Sequence, residues 1–471
     1  MNAKLDDFNE KLSKSKVAVL GVGVSNRPLI EYLHNLGSNT TILEAKEKEK
    51  CDSDIVNMID EYGMEAHYGD DYLSYLKGYD IIFRSPSILP TVKELAEEAK
   101  RGALVTTEIE MLLKLAPCKT TIGITGSDGK TTTTTLTAKV LEDAGYKVFL
   151  GGNIGTPLFT KISEMSEEDI LVLEMSSFQL MGMDISPKIS IVTNVTPNHL
   201  NIHKDMEEYI ESKANIFKYQ DENDKVILNY NNDVTYDRYS KMAKSKVVLF
   251  SGFDHLDNGY YVENNTVYYS KDGVSERLIS IDEMIIKGNH NLQNACCVYA
   301  ATEGLVSKEK ATETIKSFGG VHHRQELVRV LDGVTWINDS SSSTPTRTMT
   351  GLKAYAEEGL DVENKHKKII LIAGGYDKNL DNSVMAKPIV NTCKAIVLIG
   401  QIAEKIEKAV SDVDKDFPIY RETSLEDAVN RAKSLGKEGD IVLLSPAAAS
   451  FDMFKNAYHR GDCFKEIVNN L

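Results

Sequence analysis

The sequence predicts an α/β protein in which three doubly wound domains follow one another along the chain. Short apolar segments rich in Val, Ile and Leu alternate with helical patterns, which is typical of parallel sheets covered by helices. The chain of 471 residues is also too long for one hydrophobic core. The points at which the pattern restarts divide the chain into domains of residues 1–107, 108–319 and 320–471.

The composition excludes several classes of protein. Hydrophobic residues make up 42% of the chain and charged residues 26%, as in ordinary globular proteins. The formal net charge of −16 argues against a general nucleic-acid or anionic-membrane binder, so an anionic substrate needs locally placed cations. The six Cys residues form no CxxC pair, the charged start lacks a signal-peptide core, and no segment is long enough for a membrane span. We therefore expect a cytoplasmic protein.

The first domain begins with a nucleotide-binding type of βαβ unit. A buried-type strand, 16–20, runs into a GVGVSN turn, and a helical pattern follows over residues 27–36. Asn26 stands where the dinucleotide fingerprint has its third glycine, so the motif alone indicates only a Rossmann-like domain. The second strand ends in Glu44, which is either a ribose-binding acid or a solvated carboxylate at a strand end.

The central domain is organised around the segment TTIGITGSDGKTTTTT, residues 120–135. A β-branched strand, a glycine-rich turn and a helix N-terminus make a phosphate cradle, because their backbone N–H groups converge. The spacing departs from the Walker pattern, since Ile124 stands at the position of its first glycine. We interpret the segment as the ATP site of a P-loop ATPase-type domain, with Lys130 as cation and the Thr131 hydroxyl on Mg²⁺. The cradle comprises Gly126, Ser127, Asp128, Gly129, Lys130, Thr131 and Thr132.

Two further strands deliver side chains to the same edge of the central sheet. The strand 170–173 runs into Glu174, and the strand 189–192 leads to His199. Because ligands meet the carboxyl ends of parallel strands, we expect both side chains near the phosphate cradle, where a carboxylate and an imidazole suit a second metal ion. Each residue alone is more often structural, and Lys213 on the next helix reads by itself as a solvated lysine.

The remaining motifs lie on one helix and on a second Rossmann-like domain. Asn291 and Asn294 are one helical turn apart, so they either hydrogen-bond a nucleotide or cap the helix. The third domain opens with a hairpin whose turn is Asp332-Gly333. Later strands lead into hydroxyl-rich or glycine-rich loops at residues 338–345, 374–378 and 445–452.

Taken in order, these motifs resemble those of the Mur ligases of peptidoglycan synthesis. TGSDGKTTT is similar to the family's TGTNGKTTT loop, and LEMSSFQL, NVTPNHL, ESKANI, HNLQNA, HHR and WINDS follow in the family's order. The similarity runs from about residue 16 to the end of the chain, and ordered motifs are far more specific than any single one. GVGVS, SSFQL and SPAAASFDMFKNAYHRG resemble the members that add D-glutamate, and the DNPR-type motif of the diaminopimelate- and lysine-adding members is absent.

The resemblance implies an ATP-dependent ligase that joins D-glutamate to UDP-N-acetylmuramoyl-L-alanine. ATP would convert the free carboxylate to an acyl phosphate, and the amine of D-glutamate would attack it and expel phosphate. The resemblance also implies that Thr131 and Glu174 hold one Mg²⁺, that His199 holds a second, and that Lys213 is carbamylated by CO₂. The net charge and the lack of a long apolar segment predict no nucleic-acid partner and no membrane insertion, and we expect a monomer.

Further roles follow from the resemblance position by position. The residues that match ATP-binding positions are Asn291, Asn294, Arg324 and Asp339. Those that match positions near the uridine diphosphate and muramoyl groups are Val24, Ser25, Glu44 and Asn153. Those that match D-glutamate-binding positions are Ser343, Lys378, Ser450 and Phe451, with Lys378 providing charge for a carboxylate.

Three positions depart from the family pattern. Ser341 stands where the family often has a lysine, so Arg347 or a metal has to compensate. Ser87 replaces the glycine of a Ser-Pro-Gly turn, and Asn201 replaces the aspartate of an HLD motif. None of these changes removes a phosphate-cradle residue. They leave the identity of the amino-acid substrate as the least determined part of the prediction.

Three alternatives remain at this point. A related amino-acid ligase such as a folylpolyglutamate synthase would lack the GVGVS domain. A dinucleotide-dependent oxidoreductase would explain Glu44 but would leave Lys130 and the third domain without a role. A non-catalytic nucleotide sensor is disfavoured because Lys130, Glu174, His199 and Lys213 are all retained.

Overall fold

Three β-sheets follow one another along the chain in the computed structural model, which describes residues 2–23, 25–197, 202–356, 358–378 and 380–471. The contacts divide the chain into two compact units. One unit, Met1–Ile279 with Leu292–Ile315, contains the first two sheets, and the other, Ser280–Asn291 with Lys316–Leu471, contains the third. The α/β class with three sheets is therefore confirmed.

The first sheet has five parallel strands, β1 (Lys16–Leu20), β2 (Asn39–Glu44), β3 (Glu65–Tyr68), β4 (Ile81–Arg84) and β5 (Leu104–Thr106). Their spatial order, β3-β2-β1-β4-β5, makes the chain reverse direction beside β1, where α/β folds bind ligands. The helices of this part are α1 (Ala3–Lys14), α2 (Arg27–Asn35), α3 (Ser53–Glu61), α4 (Lys93–Arg101) and α5 (Glu108–Leu115).

Helix α1 is an element for which the charged first residues gave no expectation. Leu5, Phe8 and Leu12 are spaced for one helix face and are all buried. The Asn2 side chain caps the helix by accepting the Leu5 N–H, and its amide donates to the Leu115 carbonyl at 2.7 Å. An otherwise charged segment thus becomes part of the core.

The second sheet has nine strands, β6 (Thr120–Thr125), β7 (Val148–Gly152), β8 (Ile170–Glu174), β9 (Ile189–Val192), β10 (Lys225–Asn229), β11 (Lys246–Ser251), β12 (Gly259–Glu263), β13 (Thr266–Lys271) and β14 (Val274–Ser280). Their order is β14-β13-β12-β11-β10-β9-β6-β8-β7, with β6 between β9 and β8 in parallel register. The helices here are α6 (Lys130–Asp143), α7 (Ser177–Leu180), α8 (Met206–Ala214), α9 (Ser240–Met242), α10 (Asn289–Thr302) and α11 (Lys308–Ser317).

The third sheet has six strands, β15 (Glu326–Leu331), β16 (Val334–Asn338), β17 (Ile369–Gly374), β18 (Cys393–Ile399), β19 (Ile419–Arg421) and β20 (Ile441–Leu444). Only β15 runs antiparallel, in the expected hairpin with β16, and the order is β15-β16-β20-β17-β18-β19. The helices are α12 (Pro345–Tyr355), α13 (Ala386–Thr392), α14 (Ala403–Val413), α15 (Leu425–Leu435) and α16 (Ala457–Asn469). None of the helices that the structure describes is long and apolar enough to cross a membrane.

The first two sheets share a buried junction that includes a carboxyl group. Phe159 packs edge-on against Phe83 of β4 and against Tyr32 of α2, with ring centroids 6.3 and 5.4 Å apart. Glu108 Oε1 accepts the Phe159 N–H at 2.8 Å. Burial raises the pKa of Glu108 to about 7, although the backbone N–H groups of Phe159 and Leu158 lower it.

This pKa shift predicts a pH-dependent stability. The folded-state pKa of Glu108 lies above its ordinary value of 4.5, so folding favours the protonated carboxyl. The contribution of Glu108 to the stability of the fold is therefore complete below pH 4.5 and is lost as the pH rises through about 7. We expect Glu108→Gln to exceed the wild type at pH 8 by about 2–3 kcal/mol in the free energy of unfolding, with little difference near pH 5. Urea unfolding at a series of pH values measures this, with the exposed Glu142→Gln as control. If the free energy of unfolding depended on pH in the same way in Glu108→Gln and in the wild type, the raised pKa of Glu108 would be refuted.

Candidate active site

The phosphate cradle lies between β6 and α6, where the sequence predicts it. Gly126 and Gly129 have φ values of +148° and +81°, which side chains other than glycine rarely adopt. A Cβ atom would lie 1.9 Å from Thr193 Oγ1 at Gly126 and 2.7 Å from Asn294 Oδ1 at Gly129. Gly129 is the N-cap of α6 and offers no side-chain cap, so the first N–H groups of the helix face the cradle as an anion site requires.

The conformation of the cradle is fixed by Lys130 and by a residue from outside the cradle, Asn194. Lys130 Nζ donates to the carbonyls of Gly126 at 2.7 Å and Ser127 at 3.0 Å. Asn194 lies two residues after β9, and its Oδ1 accepts the N–H groups of Ser127 and Asp128 at 3.1 and 2.9 Å. Asn194 was not among the residues expected from sequence, because an isolated Asn after a strand gives no signal of its partner.

Glu174 arrives beside the cradle, because β8 pairs in parallel with β6 and places Glu174 opposite Ile124. The residue is 1% exposed. Its Oε1 accepts from Asn153 Nδ2 at 2.8 Å, while its Oε2 is buried without any hydrogen-bond partner. A buried carboxylate oxygen with no donor is costly unless a cation or a ligand proton reaches it, so this atom fits a Mg²⁺ ligand. The pairing of Glu174 with Asn153 brings two expected site residues together.

Lys213, on α8, is buried and not solvated, so its interpretation as an exposed lysine is wrong. It is 2% exposed, and Nζ donates to the Gly126 carbonyl at 3.0 Å and to Thr125 Oγ1 at 3.3 Å. The same ammonium lies 4.7 Å from the ring centroid of Tyr209. Burial, aided by the charge of Lys130, holds the pKa of Lys213 well below its ordinary value. The site behind the cradle therefore disfavours the charged form of this amine.

Three expected positions lie outside the described residues: His199, Val24 and Asn201.

Asn294 is buried, and its Oδ1 accepts from Thr133 Oγ1 on α6 at 3.1 Å. Asn291, one turn earlier in α10, donates from Nδ2 to the Lys287 carbonyl at 2.8 Å. Lys130, Thr131 and Thr132 form the first turn of α6, as expected.

A pocket of about 310 Å³ lies on the first sheet, lined by residues of the GVG turn, of the segment after β2 and of the segment 85–88. Glu44 is buried, so the solvated alternative is wrong, and its two oxygens accept the N–H groups of Val22 at 2.8 Å and Lys46 at 3.0 Å. Asn26 ties the turn by donating to the Leu20 and Gly21 carbonyls at 3.1 and 2.8 Å. Ser25 is half-buried in the same turn.

At the carboxyl edge of the third sheet, Asp339 follows β16 and is 2% exposed. Its Oδ2 accepts the hydroxyls of Ser342 at 2.6 Å and Ser445 at 2.8 Å, and its Oδ1 accepts the Gln325 N–H at 3.2 Å. Burial raises the pKa of Asp339 to about 6, against the lowering by these donors. Asp339 thus ties the loops after β16 and β20 together, and the charge of the half-buried Arg324 acts on its carboxylate.

The loops after β17 and β20 carry the remaining expected residues. Ser450 is 1% exposed and its hydroxyl has no hydrogen-bond partner, whereas Phe451 and Lys378 are exposed. Phe451 packs edge-on against Tyr376 with ring centroids 6.1 Å apart, and the Tyr376 N–H donates to Ala449 at 2.9 Å. Tyr376 was not expected from sequence.

Ser343 and Ser341 lie in the serine-rich loop after β16. The N–H of Ser343 donates to the Ser341 carbonyl at 2.9 Å, and Arg347 Nη1 donates to the same carbonyl at 3.4 Å. A cation is therefore present beside the position where the lysine is missing. Arg460 of α16, which is buried, clamps this loop to the one after β20 through the Ser340 and Ala448 carbonyls at 2.8 and 3.1 Å.

One further group of possible metal ligands occurs in the described part of the chain, formed by His322, His323 and Glu326. Lys465 Nζ lies 3.3 Å from both His322 Nδ1 and Glu326 Oε1. Asn338 Nδ2 contacts His323 Nδ1 at 3.0 Å. An ammonium group and an amide thus contact the Nδ1 atoms of both histidines, and the Lys465 charge lies where a metal ion would have to be.

Comparison with known proteins agrees with the geometry. Residues 124–302 match the family model of the Mur ligase middle domain, and residues 323–448 match that of the Mur ligase glutamate ligase domain. The three-sheet fold, the phosphate cradle and these matches define the class of protein: an ATP-dependent ligase.

Full-length relatives make the assignment more specific. The UDP-N-acetylmuramoylalanine–D-glutamate ligases of Clostridium perfringens and Acetivibrio thermocellus are each 44% identical to this chain, with complete coverage of both sequences. The chain belongs to the Mur ligase family.

Solved structures show the same fold. The UDP-N-acetylmuramate-alanine ligase of Thermotoga maritima aligns with 97% of this chain and 99% of its own, at a TM-score of 0.58 and 17% identity. The MurF ligase of the same organism, in complex with ADP, aligns with 98% of this chain and 97% of its own, at a TM-score of 0.55 and 15% identity.

Proposed function

We propose that this chain is an ATP-dependent ligase that adds D-glutamate to UDP-N-acetylmuramoyl-L-alanine in peptidoglycan precursor synthesis. One observation supports the ligase chemistry most directly. Glu174, whose Oε2 has no hydrogen-bond partner, ends the strand β8, and β8 lies next to the strand that leads into the phosphate cradle with Lys130. The names of the full-length relatives support the choice of substrates.

The residues of the cradle account for the phosphate chemistry. The N–H groups at the start of α6 and the ammonium of Lys130 hold the β- and γ-phosphates of ATP. The substrate carboxylate attacks the γ-phosphorus, ADP leaves, and an acyl phosphate forms. The amine of D-glutamate then attacks the acyl carbon and expels phosphate. Both partners are anionic, so neutralisation of charge is the main task of the protein.

We propose that Thr131 and Glu174 hold Mg²⁺, and that His199 and a carbamylated Lys213 hold a second ion. Mg²⁺ supplies neutralisation of phosphate charge when it is bound. The observation that supports the carbamate is the buried amine of Lys213, because a neutral amine adds CO₂ and an ammonium does not. Carbamylation converts a destabilised cation into an anion that suits a metal.

For D-glutamate we propose a site formed by Ser343, Lys378, Ser450 and Phe451. The partnerless hydroxyl of Ser450 supports it, because a buried hydroxyl without a partner is ready to bond a ligand. Arg347 is proposed to supply the charge of the lysine that Ser341 replaces. Asn291, Asn294, Arg324 and Asp339 are proposed for ATP, and Val24, Ser25, Glu44 and Asn153 for the uridine nucleotide.

We further propose domains of residues 1–107, 108–319 and 320–471, a cytoplasmic location and a monomeric state. The three separate sheets support the division of the chain.

The test is phosphate release with ATP, Mg²⁺ and UDP-N-acetylmuramoyl-L-alanine across a panel of D- and L-amino acids. We expect release only with D-glutamate. Release with a different amino acid would keep the ligase chemistry and change the substrate, with Ser341 as the first position to examine. Release only with a pterin acceptor would favour a folylpolyglutamate synthase, and no release with any acceptor would refute the ligase.

A further inference from the structure

Arg84, at the end of β4, is a buried cation to which the chemistry above gives no role. The residue is 3% exposed. Its Nη1 donates to the Ile88 carbonyl at 3.0 Å, and its Nη2 donates to the Met181 carbonyl. In the part of the chain that the structure describes, no carboxylate forms an ion pair with it. Burial lowers the pKa of Arg84 to about 10, so the group keeps its charge at neutral pH.

One of the two partners belongs to the wall of the pocket on the first sheet. Ser85, Ser87 and Ile88 line this pocket together with the GVG turn. The Ser85 N–H donates to the Leu20 carbonyl at 2.8 Å, and a Cβ at Gly21 would lie 3.0 Å from the Ser85 Cβ. The segment 85–88 is therefore seated directly on the turn, and Arg84 fixes its far end through Ile88.

The other partner lies just beyond β8 of the second sheet, at the end of the helix that follows this strand. Met181 is the C-cap of α7, the helix that follows Glu174. The neighbouring carbonyl, that of Leu180, accepts from Asn215 Nδ2 at 2.9 Å, next to α8. One guanidinium thus joins the pocket wall to the segment that continues from the proposed Mg²⁺ ligand.

The charges that line the pocket cancel. Its described lining holds two cations, Arg27 and Lys46, and two carboxylates, Glu44 and Asp52. Arg27 Nη2 pairs with Asp52 Oδ2 at 2.7 Å. A diphosphate in this pocket would therefore meet no net positive charge from the lining, in a protein whose net charge is −16. Arg84 adds a positive charge behind the wall, which the carboxylate of Glu110 offsets only at a distance, without an ion pair.

We propose that Arg84 is a positioning residue for the uridine nucleotide substrate: it clamps the segment 85–88 to the end of α7 and places a positive charge behind the pocket. Both effects favour an anionic ligand, because a wall that is already fixed loses little entropy on binding and a buried charge is weakly screened. The inference rests on the proposed function for the identity of the nucleotide.

The test compares binding of UDP-N-acetylmuramoyl-L-alanine by calorimetry, without ATP or amino acid, in wild type, Arg84→Gln and Arg84→Lys. We expect Arg84→Gln to raise the Kd about tenfold and Arg84→Lys about threefold, since lysine keeps the charge but reaches one carbonyl at a time. Arg101→Gln is the matched control, because Arg101 lies on the same domain, is exposed and pairs with Glu98.

Turnover separates positioning from a merely structural role. We expect the KM for the nucleotide in Arg84→Gln to rise about tenfold, while kcat and the KM for ATP stay within about twofold. Equal Kd values for wild type and both Arg84 variants would overturn the role of Arg84 and leave the proposed function intact. A wild-type chain that does not bind the nucleotide would overturn both. If Arg84→Gln does not fold, Arg84→Lys decides by the same criteria.

Discussion

Replacement of Lys130 by alanine is expected to lower phosphate release about a thousandfold or more, because it removes the only lysine of the phosphate cradle, whose Nζ lies 2.7 Å from the Gly126 carbonyl. The N–H groups at the start of α6 remain, so nucleotide binding weakens less than turnover. Phosphate-release assays measure the effect on turnover, and titration with an ATP analogue measures the effect on nucleotide binding.

The matched control for this prediction is Lys139→Ala on the same helix. Lys139 is exposed and pairs with Asp143 at 2.6 Å, four residues further on, so its loss affects only the helix surface. We expect near wild-type turnover for it. If Lys130→Ala also kept near-normal turnover, the segment 126–132 would not be the ATP site.

Lys213→Ala is the second change with a large expected effect. We expect a loss of about a thousandfold in turnover and partial rescue by acetate or another short carboxylate. The substitution leaves a space beside Tyr209, Thr125 and Gly126, and a small carboxylate bound there restores the anion that a carbamate would supply.

The control for Lys213→Ala is Lys218→Ala, which removes an exposed lysine that follows the same helix. We expect it to have full activity with or without acetate. A folded Lys213→Ala variant that acetate, formate and propionate all fail to rescue would argue against the carbamate. Full activity of that variant would exclude Lys213 from the site altogether.

Most regular elements of the fold could be predicted from local pattern. The strands β1, β8, β17 and β20 are mainly apolar runs buried on both faces, and β6 is a β-branched run of the same kind, so these strands are visible in one sequence. The short edge strands β3, β5 and β19 are only partly buried, so they lack that signal. Helix α1 was missed because its three apolar positions are surrounded by charges that face solvent.

The sequence was sufficient to predict which loops contain the residues of the site. Parallel sheets place the carboxyl ends of their strands at one edge, so Glu174 could be expected beside the cradle. The partners of those side chains could not be predicted, because they come from distant parts of the chain. Asn194 on the cradle, Tyr376 beside Phe451 and Arg84 between two sheets are examples.

The sequence by itself determined the α/β class, the order of the sheets along the chain and the residues of the phosphate cradle, because each depends on neighbours within a few positions. Only the tertiary structure decided the electrostatic state of the buried groups. Lys213 is an ordinary lysine in sequence and becomes a desolvated amine because the cradle and Tyr209 enclose it. Glu44 and Asp339 likewise became loop-tying carboxylates only when burial and backbone donors surrounded them.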